Sequence, residues 1–223
     1  MSRIQKAYEL QFRALLSEVR ARKLDQGLAW LLAKGRKLSA AGQISMAQAL
    51  TAVYAQLASR RPLRKKQPPV PLRFLCDAGL GGLARWLRAA GQEALWIQDI
   101  DDDALLHEAQ RLCATVLTTD SMLLERRVLR NGMIPAFWLP PTLGVPEQLK
   151  LVFCQFGLKA REPRCMSCGG ELRQEPKELL RDRIPPRTYR WLEEYFVCCR
   201  CDKLFWRGTH WQSIARELKE LLD

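Results

Sequence analysis

The stretch Phe74–Arg88, FLCDAGLGGLARWLR, constrains the fold more than any other part of this chain. Leu72, Phe74 and Leu75 form the short apolar run of a buried strand, and Gly79, Gly81 and Gly82 allow a sharp turn into a helix. The spacing predicts that helix over about 83–90, with Leu83, Trp86, Leu87 and Ala90 on its buried face and Arg85 and Arg88 outside it. Asp77 falls at the end of the strand. In open α/β sheets ligands collect at the carboxyl ends of strands, so Asp77 is a candidate for chemistry, with helix capping as its ordinary alternative.

The same alternation continues. Ala94–Ile97, Thr115–Thr118 and Ile134–Leu139 read as strands; 102–111, 121–130 and 146–156 read as helices, the last opened by Pro146. Repeated β-α units call for a parallel sheet covered by helices. Acids follow three of these strands: Asp77, the group Asp99, Asp101, Asp102 and Asp103, and Asp120. Carboxylates gathered at one sheet edge repel each other unless a cation sits among them. Oxygen donors of this kind suit hard Mg²⁺ or Mn²⁺. Asp102 and Asp120 also have capping roles open to them.

The last third carries Cys165-x-x-Cys168 followed by Gly169-Gly170, then Cys198-x-x-Cys201. This is two-knuckle spacing, in which four thiolates close a tetrahedron around a structural zinc. Cys199 is the spare residue of the second knuckle. Cys76, Cys113 and Cys154 stand alone among apolar neighbours and read as small core residues.

Residues 1–60 read as a helical module. Ile4, Tyr8, Phe12, Leu15, Leu16 and Val19 form an amphipathic stripe, Gly27 marks a break before Leu28–Leu32, Gly35–Gly42 reads as a basic turn, and Ser45 caps a helix over 44–57. Arg60–Pro71, RRPLRKKQPPVP, has a linker's composition. The formal charge of +12 is concentrated at this end: residues 1–66 hold 14 Lys and Arg against 3 Asp and Glu, and the rest of the chain holds 22 against 21. A polyanion partner fits that asymmetry, nucleic acid first and an anionic membrane surface second. Arg20, Arg22 and Lys23, then Lys34, Arg36 and Lys37, then Arg64, Lys65 and Lys66 offer phosphate contacts, with Arg85 and Arg88 beside the first acid. No apolar run reaches a membrane span, and the charged first residues do not read as a signal peptide, so a cytoplasmic protein is expected.

The combination RFLCDAGLGGLARWLRAAG, IDDDALLHEAQ, TVLTTD, two CxxC pairs and FWRGTHW resembles the Mut7-C family, a PIN-like ribonuclease domain joined to a zinc ribbon, over about residues 72–215. The resemblance implies a three-layer α/β/α sandwich at 72–160, a ribbon at 161–223, and metal-dependent cleavage of RNA. It carries the metal-binding acids onto Asp77, Asp102 with Asp103 beside it, and Asp120. His210, inside the FWRGTHW motif, becomes a candidate for phosphate contact or proton transfer. Thr119 stands where the family has arginine, and the acids at the helix start are all aspartates. The helical module, residues 1–60, and the linker, 61–71, lie outside the resemblance.

Two functions follow. One is a metal-dependent ribonuclease in which the module and ribbon hold RNA. The other is a non-catalytic RNA-binding protein, associated with tRNA or the ribosome, that keeps the fold. A dinucleotide site is disfavoured because the turn reads D-x-G-x-G-G, with the acid ahead of the glycines.

Overall fold

A computed structural model describes residues 3–58 and 72–222, with side chains from residue 5 onward. In chain order the elements are α1 (Arg3–Glu18), α2 (Leu24–Gly42), α3 (Met46–Ala58), β1 (Arg73–Cys76), α4 (Gly81–Ala89), β2 (Glu93–Trp96), α5 (Asp102–Arg111) and β3 (Thr115–Thr118). They continue as α6 (Arg127–Arg130), β4 (Ala136–Trp138), α7 (Val145–Phe156), β5 (Leu172–Glu175), α8 (Pro186–Trp191), β6 (Tyr195–Cys198), β7 (Leu204–Trp206) and α9 (Thr209–Leu222). The linker at 61–71, with Arg64, Lys65 and Lys66, and the side chain of Ile4 lie outside the described residues.

The fold is mixed α/β, as the alternation implied. A parallel sheet has the strand order β2-β1-β3-β4, and a smaller antiparallel sheet the order β5-β6-β7. The chain divides into two compact units, Met1–Val70 with Val116–Leu158 and Pro71–Thr115 with Lys159–Asp223.

In the first unit the amphipathic stripe of α1 is buried at Tyr8, Phe12, Leu15 and Leu16, together with Leu50, Val53 and Tyr54 of α3, but Val19, read as its last member, falls beyond the helix and is exposed. This core also includes β4, because the ring of Trp138 meets Tyr8 and Tyr54 edge-on at centroid distances of 5.2 and 5.1 Å. Such pairs add about 0.5–1.5 kcal/mol beyond area burial. The hydroxyls of Tyr8, Thr51 and Thr142 form a hydrogen-bonded chain, so polar groups under the helices are partnered. Ser45 caps α3 as expected. Its Oγ accepts from the Gln48 N–H at 3.2 Å while Gln48 Oε1 accepts from the Ser45 N–H at 3.0 Å, a reciprocal capping box.

Two readings of this unit are corrected. Gly27 does not break a helix and Gly35–Gly42 is not a turn, since α2 runs through both. Position 35 holds glycine inside the helix because the backbone passes against Leu50: a Cβ there would lie 2.6 Å from Leu50 Cδ2. The break falls instead near Arg20, at φ 55°. The helix read over 121–130 is a 3-10 turn, Leu123–Glu125, followed by the single turn α6, because Arg126 at ψ 132° interrupts it.

In the second unit β1 pairs with β2 in register Phe74↔Ala94 and Leu75↔Leu95. Leu83, Leu87 and Ala90 are buried, as the periodicity of α4 required. The small sheet buries Tyr195 and Val197 against Leu180 and Ile184, with Trp206 and Tyr189 packed alongside. Cys76 is in the core, but Cys113 and Cys154 are exposed, correcting the expectation that all three are core residues. Cys113 follows the end of α5, and Cys154 lies on the outer side of α7.

Candidate functional site

Each acid is positioned by the turn that follows its strand. Asp77, half-buried, comes directly after β1 and accepts the Gly79 N–H at 2.9 Å, capping the 3-10 turn Ala78–Leu80. That turn is held by Trp96, whose Nε1–H donates to the Ala78 carbonyl at 2.9 Å. Gly81 is needed beneath the indole, where a Cβ would come within 2.9 Å of the ring. Asp101 caps α5, accepting the Ala104 N–H at 2.8 Å, which leaves Asp102 and Asp103 exposed in the first helical turn. Asp120 lies two residues past β3, exposed, and accepts the Met122 N–H at 2.7 Å, while its own N–H donates to Thr118 Oγ1 at 2.9 Å.

The cysteines are gathered more tightly. Among the described residues, Cys165, Cys168, Cys198 and Cys201 are the group of potential ligands drawn together, with sulfurs within 4.8 Å of one another. Cys165 and Cys201 are 3.6 Å apart and Cys168 and Cys198 are 3.4 Å apart. Zinc bonded to four thiolates at about 2.3 Å sets sulfurs roughly 3.8 Å apart, so this donor set fits the ion. N–H groups point at two of the sulfurs: Gly170 to Cys168 and Arg200 to Cys198, both at 3.4 Å. Burial pushes the Cys168 thiol up to about 12. Burial raises the Cys198 thiol too, but the N–H groups of Cys201 and Arg200 together with the Cys168 and Cys201 side chains outweigh it and bring the thiol down to about 7. Zinc would replace the thiol protons, closing the site with no position left for water. Cys199 is exposed and outside the quartet, as its place in the motif implied.

Arg88 corrects the reading of α4. The helical spacing predicts an outward side chain open to RNA, yet Arg88 is 3% exposed. Its Nε–H donates to the Ala94 carbonyl of β2 at 2.7 Å, and its Nη1 to the carbonyls of Met166 and Ser167 at 3.0 and 2.9 Å. The guanidinium therefore joins the first knuckle to the α/β elements of its unit. Burial lowers its pKa, opposed by the nearby Cys76, Cys168 and Cys165.

The remaining candidates divide. Arg85, Arg36 and Lys37 are exposed, whereas Lys34 donates to Gln56 Oε1 at 2.6 Å and lies over the Trp30 ring. Two of the aromatics after the second knuckle pack: Trp206 lies against the core of the small sheet, and Trp211 stacks on Phe196 at 5.6 Å with the Arg207 guanidinium over both rings. His210 is exposed in the first turn of α9, and His107 is an exposed residue of α5.

No curated protein and no solved structure matches the chain. The model of the family described as the Mut7-C RNAse domain matches residues 72–218, the strands, the acids and both knuckles together. By that match, which covers more than half of its length, the chain belongs to the Mut7-C family.

Proposed function

We propose that this protein is a metal-dependent ribonuclease. The observation that carries the reading is the family match over 72–218, and the placement of Asp77 and Asp120 after strands and of Asp102 at a helix start supports it. Asp77, Asp102 and Asp120 would hold Mg²⁺ or Mn²⁺, since carboxylate oxygens are the donors such cations take. Bound there, the cation would supply a water of lowered pKa and charge stabilisation for the departing oxygen of a phosphodiester. The chain's own part is to present the carboxylates. The local N–H bonds of Asp77 and Asp120 fix each side chain, and neither acid is buried. Asp103 would stand beside Asp102, and His210 would contact phosphate or move a proton. Arg36, Lys37 and Arg85, all exposed, would hold the RNA backbone. The quartet Cys165, Cys168, Cys198 and Cys201 would hold zinc for structure alone. Hydrolysis of labelled RNA that depends on added Mn²⁺ tests the proposal.

One observation favours the second reading, a non-catalytic RNA-binding protein. Asp77 and Asp120 each already have a structural task in their own turn. Binding of RNA without Mn²⁺-dependent cleavage would select it. No described helix is long and apolar enough to cross a membrane.

A further inference from the structure

Alongside α9 the second unit forms a partly open cavity of about 410 Å³ that neither the acids nor the cysteine quartet uses. Its existence follows from side-chain size. Ala89 and Ala90 at the end of α4 and Ala215 on α9 line it, where larger residues would close the space. Phe205, Ile214 and Leu218 supply apolar walls. The volume is within the range of about 300–1,000 Å³ in which small-molecule groups are held.

The charges around it are lopsided. Arg161, Arg164, Arg207 and Lys219 line the cavity against a single acid, Glu162. Arg164 is occupied by the Gly169 carbonyl at 2.8 Å. Arg207 meets carboxylates only at 3.4 and 3.8 Å, from Glu194 and Glu162. Arg161 and Lys219 are exposed, with no side-chain ion pair among the described residues.

We propose that this cavity receives one unstacked base of single-stranded RNA, with the flanking phosphates on Arg161, Arg207 and Lys219. A base is flat and apolar on its faces, so Phe205 and Ile214 provide the contact that base recognition outside a duplex relies on. Several cations spread around one opening match the repeated charges of a phosphate backbone. An apolar chain ending in one carboxylate would satisfy one of them and leave the others unpaired. Duplex RNA does not fit, because its bases remain stacked. The proposal rests on the RNA reading above and is independent of whether the acids cleave.

The test uses the full chain and an octauridylate carrying one 4-thiouridine, without added Mg²⁺ or Mn²⁺. Near-ultraviolet cross-linking followed by peptide mapping should place adducts within 160–166 or 205–215. Anisotropy should show the octamer bound about tenfold more weakly by Ala215→Trp, which fills the opening from an exposed helical position. Arg161→Ala with Lys219→Ala, both exposed, should weaken binding similarly and flatten its salt dependence, and carries the test if the tryptophan disturbs α9. Adducts only elsewhere, with octamer affinity unchanged in both variants, overturn the cavity assignment and leave the RNA reading intact. Absence of RNA binding by the wild type overturns both. Binding of dodecanoate that Ala215→Trp abolishes, with RNA affinity unaffected, makes an amphiphilic anion the occupant and overturns it too.

Discussion

Arg88 Nη1 donates to the carbonyl of Ser167 at 2.9 Å, so a helix of the α/β elements grips the loop between the first two cysteines. The same side chain holds Ala94 in β2, and the Arg164 N–H returns to the Arg88 carbonyl at 2.9 Å. Replacing Arg88 by Met leaves three carbonyls without this donor and should cost about 3 kcal/mol. Arg88→Lys keeps charge but loses the planar fork, so it should recover only part of that stability. Urea unfolding checks both values. Wild-type stability in Arg88→Met would show that the contact is incidental.

Zinc should be present and structural. Elemental analysis is expected to find one zinc per chain, retained in Cys199→Ser and lost in Cys168→Ser or Cys198→Ser. Stripping the metal should raise hydrogen exchange in the knuckles and, through Arg88, at β2. Equal zinc content in all three variants would contradict the assignment of the quartet.

Trp138 should be essential to the N-terminal helices. Trp138→Ala removes the edge contacts to Tyr8 and Tyr54 and should cost about 3–5 kcal/mol. Tyr8→Phe removes only the end of the hydroxyl chain and should cost about 1 kcal/mol. Thermal unfolding followed by far-ultraviolet circular dichroism distinguishes the two; near-equal losses would mean that the ring contacts carry little.

Cysteine reactivity should follow burial. Burial pushes the Cys76 thiol from its ordinary 9.0 up to about 12, against the nearby Arg88 charge. The native state therefore keeps this proton after the unfolded chain has lost it. Its contribution is full below pH 9 and is lost as pH rises from there toward 12. Iodoacetamide at pH 8 should modify Cys113 and Cys154, which are exposed, and spare Cys76 until the protein unfolds. Modification of native Cys76 at the rate of Cys113 would contradict this.

Much of the fold was legible because it rests on local period and spacing. The strands around Phe74, Ala94 and Val116, the apolar face of α4, the Ser45 cap and the cysteine quartet all depend on residues near one another in sequence. What could not be read depends on distant partners. Gly35 looks like a turn residue until Leu50 is seen against it, and Arg88 looks like a surface cation until the knuckle carbonyls surround it. Trp138 reads as part of a strand; that it also anchors α1 and α3 needs the tertiary fold. The acids were legible as strand ends, while their hydrogen bonds to Gly79, Ala104 and Met122 came only with the turns. The helix read over 121–130 failed because one extended residue, Arg126, leaves no trace in apolar periodicity.

The most direct test is cleavage of a labelled RNA by wild type, Asp77→Asn and Asp120→Asn with added Mn²⁺. Asn keeps an acceptor for the Gly79 and Met122 N–H groups but removes the charge that would hold a cation. The expected result is Mn²⁺-dependent cleavage by the wild type and a loss of at least about a hundredfold in each variant, with melting temperature and RNA affinity unchanged. Equal cleavage by all three proteins would contradict the assignment of these carboxylates to catalysis.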